Sequence, residues 1–256
     1  MTTHLPSLSA PVFSQAMPDA TASLAAREIH LWLLDLDQFT DAHRLEATKI
    51  MSASEHTRAQ KFMRGKESYI ASRWLQRKVL ARYLDVAPQE LELLRSDKGK
   101  PYLPHSDMHF SLSHSGHWAV LAVGKAELLG VDLESIRSAR NLSGIAQHYY
   151  HPDEQTQMQS LQGSAQADYF YRLWTLKEAF FKALGTGISA GLEKVAFQWD
   201  ADNISATIDD QLGCLSDQWQ FHQWALSPQD YCALAHKSGQ PLAAKWLDAL
   251  TLPAFP

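Results

Sequence analysis

Cysteine is nearly absent: the 256-residue chain has two, Cys214 and Cys232. A lone pair without C-x-x-C spacing excludes a disulfide framework and a cysteine-based zinc site, so both are expected as small core residues. Long hydrophobic runs are missing as well. The apolar stretch Ile29 to Leu36 falls far short of the ~20 residues that span a bilayer, and it carries Asp35. No basic start precedes an apolar stretch in the first residues, so a secretory signal is not expected and the chain is expected in the cytoplasm. Nor is there a basic excess. A formal net charge of -5 argues against a general nucleic-acid binder, although a phosphate site needs only a few cations in one place.

What is present is ordinary globular material, 45% hydrophobic and 20% charged, enough for one large or two small domains with a sizeable core. Residues 1–27, rich in Ser, Ala, Pro and Thr without periodicity, are expected as a loosely ordered leader. Glu28 to Leu36 reads as a strand, and Ser52 followed by Glu55 as a capping box. Lys66 to Leu84 predicts a helix with Tyr69, Leu75, Val79, Leu80 and Tyr83 on its apolar side and Lys66, Arg73 and Arg77 as a basic stripe. Met108 to Leu112, the turn His114-Ser115-Gly116, Trp118 to Val123 and Gly130 to Ile136 predict a run of strands. Trp224 to Ser227 and Tyr231 to Ala235 echo Phe110 to Ser113 and Trp118 to Ala122. The echo predicts an α+β protein of two similar halves, 28–128 and 129–256.

Within Gly130-Val131-Asp132-Leu133-Glu134, alternation sends Val131 and Leu133 to one face and both carboxylates to the other, ~6.5 to 7 Å apart. Such a pair suits a hard cation such as Mg²⁺; a solvated acidic strand face is the bland alternative. Trp174 to Gly185 predicts a helix ended by glycine. Trp174, Glu178 and Lys182 fall on one side of it, away from the stripe Leu173, Leu176, Phe180 and Leu184, as an acid and a base one turn apart or as a simple surface ion pair. Arg95, Lys98 and Lys100, spaced around Gly99, could grip a polyphosphate or form a solvated turn. Ser113 and His114 are adjacent on a strand and point to opposite faces, and Ser113 is not set in a nucleophile elbow, which disfavours serine catalysis. For His105, His109, His114 and His117 no H-E-x-x-H pattern supports zinc.

In this order the pieces resemble the Sfp-type 4'-phosphopantetheinyl transferases of the holo-acyl-carrier-protein synthase superfamily: Lys98-Gly99-Lys100-Pro101, Ser113-His114-Ser115-Gly116, Gly130-Val131-Asp132-Leu133-Glu134, then Trp174-x-x-Lys177-Glu178-x-x-x-Lys182-x-x-Gly185. The match runs from about Arg58 to Gly187. The resemblance implies tandem pseudo-symmetric α+β halves with the active site in the cleft between them. It implies Mg²⁺ ligands at Asp132, Glu134 and Glu178, and coenzyme A contacts at Arg58, Arg95, Lys98, Gly99, Lys100, Ser113, His114 and Lys182. Glu178 and Lys182 are the catalytic pair it implies. Tyr150-His151-Pro152-Asp153-Glu154 looks like the family's F-x-P-x-E helix start with Tyr for Phe. The implied reaction moves the phosphopantetheine arm of coenzyme A to a serine of an apo carrier protein, with Mg²⁺ as cofactor and a monomer as the default state. A Mg²⁺-dependent phosphohydrolase and a non-catalytic coenzyme A or carrier-binding module are the alternatives. Fatty-acid, polyketide, polyunsaturated-lipid, nonribosomal-peptide and aminoadipate-pathway carriers are all compatible.

Overall fold

The computed structural model describes residues 5–14, 24, 27–137, 140–187, 191–201 and 203–253. Two compact units divide them: Val12–Lys125 with residues 242–253, and Ala126–Pro241 with residues 5–11. Helices and mainly antiparallel sheets occur in both, so the class is α+β.

The first unit runs through strand β1 (Glu28–Asp35), helices α1 (Asp41–Ile50), α2 (Ala53–Gln60) and α3 (Lys66–Leu84), a short hairpin of β2 (Leu94–Arg95) and β3 (Pro101–Tyr102), then β4 (His109–Ser115) and β5 (Trp118–Gly124). β1 is buried from Ile29 to Leu34, which is why its apolar run is continuous rather than alternating. The late strand β11 (Ala243–Asp248) lies parallel to β1 and gives the order β11-β1-β5-β4. The chain end therefore belongs with the first sheet and not with the 129–256 half. Strand pairing across two hundred residues leaves no local trace. α3 packs Trp74, Leu75, Val79 and Leu80 into the core with Trp32, Leu34, Leu121 and Val123. At its far side the basic stripe is divided. Arg77 turns inward, donating to Glu55 at 2.6 Å and to the carbonyl oxygens of Pro88 and Leu91, while the Ser52–Glu55 capping box forms as expected.

The second unit contains β6 (Leu128–Ser135), helices α4 (Leu142–Tyr149), α5 (Pro152–Gln159) and α6 (Gly163–Leu184), the hairpin β7 (Val195–Asp200) and β8 (Asn203–Ile208), and strands β9 (Trp219–Ser227) and β10 (Asp230–Lys237). Its main sheet has the order β6-β10-β9. α6 begins at Gly163, well before Trp174, and ends at Gly185 as expected. The cysteines pack as small residues, Cys232 fully buried and Cys214 against the core. From the segment expected as a leader, Leu5 and Leu8 pack on the same core, and Arg172 donates to the Pro6 carbonyl at 2.8 Å. Phe13 bridges to Trp246 of β11 in the first unit. Among the described residues no helix is long and apolar enough to cross a membrane.

Candidate active site

The site in the second unit starts from a glycine. Gly130, Asp132 and Glu134 alternate onto one face of β6, and a Cβ at Gly130 would lie 2.0 Å from the Ala179 carbonyl oxygen and 2.4 Å from the Ala183 nitrogen. That face is therefore the one α6 covers, and only glycine lets the helix backbone come so close. Opposite Gly130 and Asp132 on β10 stand Ala235 and Ala233, also small.

Such a close approach brings the side of α6 that carries Glu178 and Lys182 over the two acids. Lys182 donates from Nζ to Asp132 Oδ1 at 2.6 Å. Asp132 is 4% exposed, so a solvated acidic strand face does not describe it. Glu134 and Glu178 are half-buried. Burial, and next the charge of Asp132, push the Glu178 carboxyl up to about 7; Lys182 pulls it down, Glu134 raises it, and Arg140 pulls it down. An acid poised near neutrality can accept a proton at physiological pH.

Every donor of this cluster is a carboxylate oxygen, the class a hard cation takes. Mg²⁺ uses one or two protein carboxylates and completes its shell with water and phosphate oxygens. One or two of Asp132, Glu134 and Glu178 fit that habit. Among the described residues no three His, Cys, Asp or Glu side chains form a ready cage, so a cation held here draws much of its coordination from outside the protein.

A separate group of cations belongs to the first unit. The guanidinium carbons of Arg58 and Arg73 lie 5.9 and 5.4 Å from the Tyr69 ring centre, and Phe62 packs on that ring at 4.9 Å. The charge of Arg95 acts on both Tyr69 and Arg73. Burial pulls the Arg73 guanidinium below its ordinary value, and its Nε has no hydrogen-bond partner among the described residues. Three arginines thus converge where the resemblance implies two, Arg58 and Arg95, and helical periodicity sets Arg73 only in a stripe. Nearby in sequence, Gly99 adopts φ +85° to close the β2–β3 turn, and its carbonyl accepts from Arg95 Nη1 at 2.8 Å. Lys98 is exposed, while burial pushes Lys100 down to about 8. Ser113 and His114 lie inside β4, one buried and one exposed, as alternation requires; the turn itself comes at Gly116 and His117.

Paired acids thus lie under a lysine-bearing helix in the second unit, and three arginines converge in the first. Residues 128–236 match the family model of the 4'-phosphopantetheinyl transferase superfamily, and residues 38–126 match the model described as 4'-phosphopantetheinyl transferase, N-terminal. The 4'-phosphopantetheinyl transferase HetI of a Nostoc species is 34% identical over 179 residues, covering 68% of this chain and 75% of its own. A 4'-phosphopantetheinyl transferase of Bacillus subtilis is 30% identical over 164 residues, covering 62% and 72%. The L-aminoadipate-semialdehyde dehydrogenase-phosphopantetheinyl transferase of Xenopus laevis is 30% identical over 191 residues, covering 68% and 63%. The chain belongs to the 4'-phosphopantetheinyl transferase superfamily and is an enzyme of the transferase class.

Proposed function

We propose that the protein uses Mg²⁺ and coenzyme A to modify a serine of an apo acyl or peptidyl carrier protein in the cytoplasm, releasing adenosine 3',5'-bisphosphate. The observation that carries this reading is the grouping of Glu178 with the Lys182–Asp132 pair, 2.6 Å apart, where α6 covers β6. Glu178 accepts the proton of the carrier serine. The serine oxygen forms its bond to the β-phosphorus as the bond from that phosphorus to the bridging anhydride oxygen breaks, and the bisphosphate leaves with that oxygen. Lys182, held on Asp132, supplies a fixed positive charge beside the phosphates. Asp132, Glu134 and Glu178 would hold Mg²⁺, which when bound offsets phosphate charge as a Lewis acid. Arg58, Arg73, Arg95, Lys98 and Lys100 take the remaining phosphates of coenzyme A through charge-assisted hydrogen bonds, with Gly99 shaping their turn and Ser113 and His114 adding polar contacts.

The test is incubation with coenzyme A, Mg²⁺ and a panel of apo carriers, followed by intact mass. Addition of one phosphopantetheine to a carrier serine is the expected result. Release of adenosine 3',5'-bisphosphate with no carrier modified would instead indicate hydrolysis and overturn the reading.

A further inference from the structure

Arg140 lies outside every sequence motif, in the segment between β6 and α4. Its guanidinium carbon is 4.5 Å from the ring centre of Trp174, 5.4 Å from Phe170 and 5.9 Å from Tyr171, all on α6. Described residues on either side of Arg140 are pinned. Ile136 N–H donates to the Gln229 carbonyl at 2.8 Å, Arg137 N–H donates to the Tyr171 hydroxyl at 2.8 Å, and Asn141 caps α4 by accepting from Gly144 N–H at 3.1 Å. Backbone contacts and an aromatic platform, with one long ion pair to Glu134, therefore set where the guanidinium stands.

Two other arginines of the fold are placed differently. Arg77 and Arg172 are 4% and 2% exposed. Arg77 donates to Glu55, Pro88 and Leu91, and Arg172 to Gln223 and Pro6, so each ties elements of the fold together. Arg140 does not. Its side chain is 23% exposed and makes one long ion pair, to Glu134 at 3.8 Å, beyond hydrogen-bond reach, so among the described residues none of its side-chain N–H groups is spent in a hydrogen bond. Five donors in a rigid fork are left for something else. Trp174, beneath it, is one helical turn before Glu178, and Glu134, beside it, is one same-face step along β6 from Asp132. This cation, loosely paired with Glu134, thus borders the carboxylate cluster.

We propose that Arg140 is a substrate-contacting residue that grips the phosphoryl group bearing the pantetheine arm. This rests on the reaction proposed above. A planar guanidinium matches two phosphate oxygens at once, which a lysine ammonium cannot do, and stacking on Trp174 fixes its plane in advance. When the serine oxygen bonds to that phosphorus and the anhydride bond breaks, the proton passes to Glu178 and the non-bridging oxygens keep their negative charge. Arg140 meets those oxygens without reorganising.

Calorimetric titration of the wild type, Arg140→Ala and Arg140→Lys with coenzyme A and with adenosine 3',5'-bisphosphate separates this role from a structural one, because the bisphosphate lacks the phosphoryl group in question. Arg140→Ala is expected to bind coenzyme A at least ~10-fold more weakly, to bind the bisphosphate unchanged and to keep its melting temperature. Arg140→Lys, which keeps the charge without the fork, is expected to recover part of the loss and so covers the case in which the alanine variant folds poorly. Equal losses for both ligands, or none for either, would overturn the assignment of Arg140. A wild-type protein that binds neither ligand would overturn the reaction itself, and is told apart by that control alone.

Discussion

Lys177 and Glu154 form an ion pair closed off from water, 2.8 Å apart with side chains 0% and 3% exposed. Lys177 also donates to the carbonyls of Leu192 and Val195, and Glu154 accepts from the backbone N–H groups of His151 and Phe197, so the pair joins α6, the start of α5 and β7. Burial pulls the lysine below its ordinary value while Glu154 holds it up. Lys177 precedes Glu178 in one motif, yet its role is structural, and the same holds for the P-x-E glutamate. Tyr150 of that motif fits its pocket with its hydroxyl donating to the Phe170 carbonyl at 2.6 Å.

Removing one partner of a satisfied buried pair strands the other charge. Lys177→Met is therefore expected to cost about 3 to 5 kcal/mol, read as a large fall in the urea midpoint. A near-native midpoint would show that Glu154 finds its proton or another partner cheaply.

Gly130→Ala tests the strand–helix contact. The added Cβ meets backbone atoms at 2.0 and 2.4 Å, which no rotamer change relieves. Displacing α6 costs about 1 to 3 kcal/mol and moves Glu178 and Lys182 off Asp132. A folded variant with transfer reduced by far more than its stability loss is the expected result, from thermal melts beside turnover. Full activity would mean that the helix does not depend on this approach.

How much of this was legible divides by range. The ends of α3, the Ser52 capping box and the glycine end of α6 rest on local spacing and appeared where expected. Alternation put Asp132 and Glu134 on one face, but what covers that face arrives with Lys182, fifty positions later, so the burial of Asp132 could not be read. Arg73 and Arg77 look alike on a helical wheel; a carboxylate on α2 and the carbonyls beyond α3 decide that one is structural. Arg140 lacks any periodic context, and only the aromatic row of α6 gives it meaning.

Glu178 offers the sharpest test because structural and catalytic roles predict different signs. Its folded value of about 7 exceeds its ordinary 4.5, so in metal-free protein its protonated form favours folding. That contribution is complete below about pH 4.5 and is lost as pH rises through about 7, on the order of 3 kcal/mol in all. Glu178→Gln cannot ionise. In the presence of chelator, its melting temperature is therefore expected to gain on the wild type as pH goes from 5 to 8. Loss of the general base alone is typically ~10² to 10⁴ in rate, so single-turnover transfer with saturating coenzyme A and Mg²⁺ is expected to fall at least ~10²-fold, with coenzyme A affinity changed much less. A folded Glu178→Gln protein transferring at more than a tenth of the wild-type rate would remove Glu178 as the base. Parallel melting curves across that pH range would show that its carboxyl is not held protonated by the site.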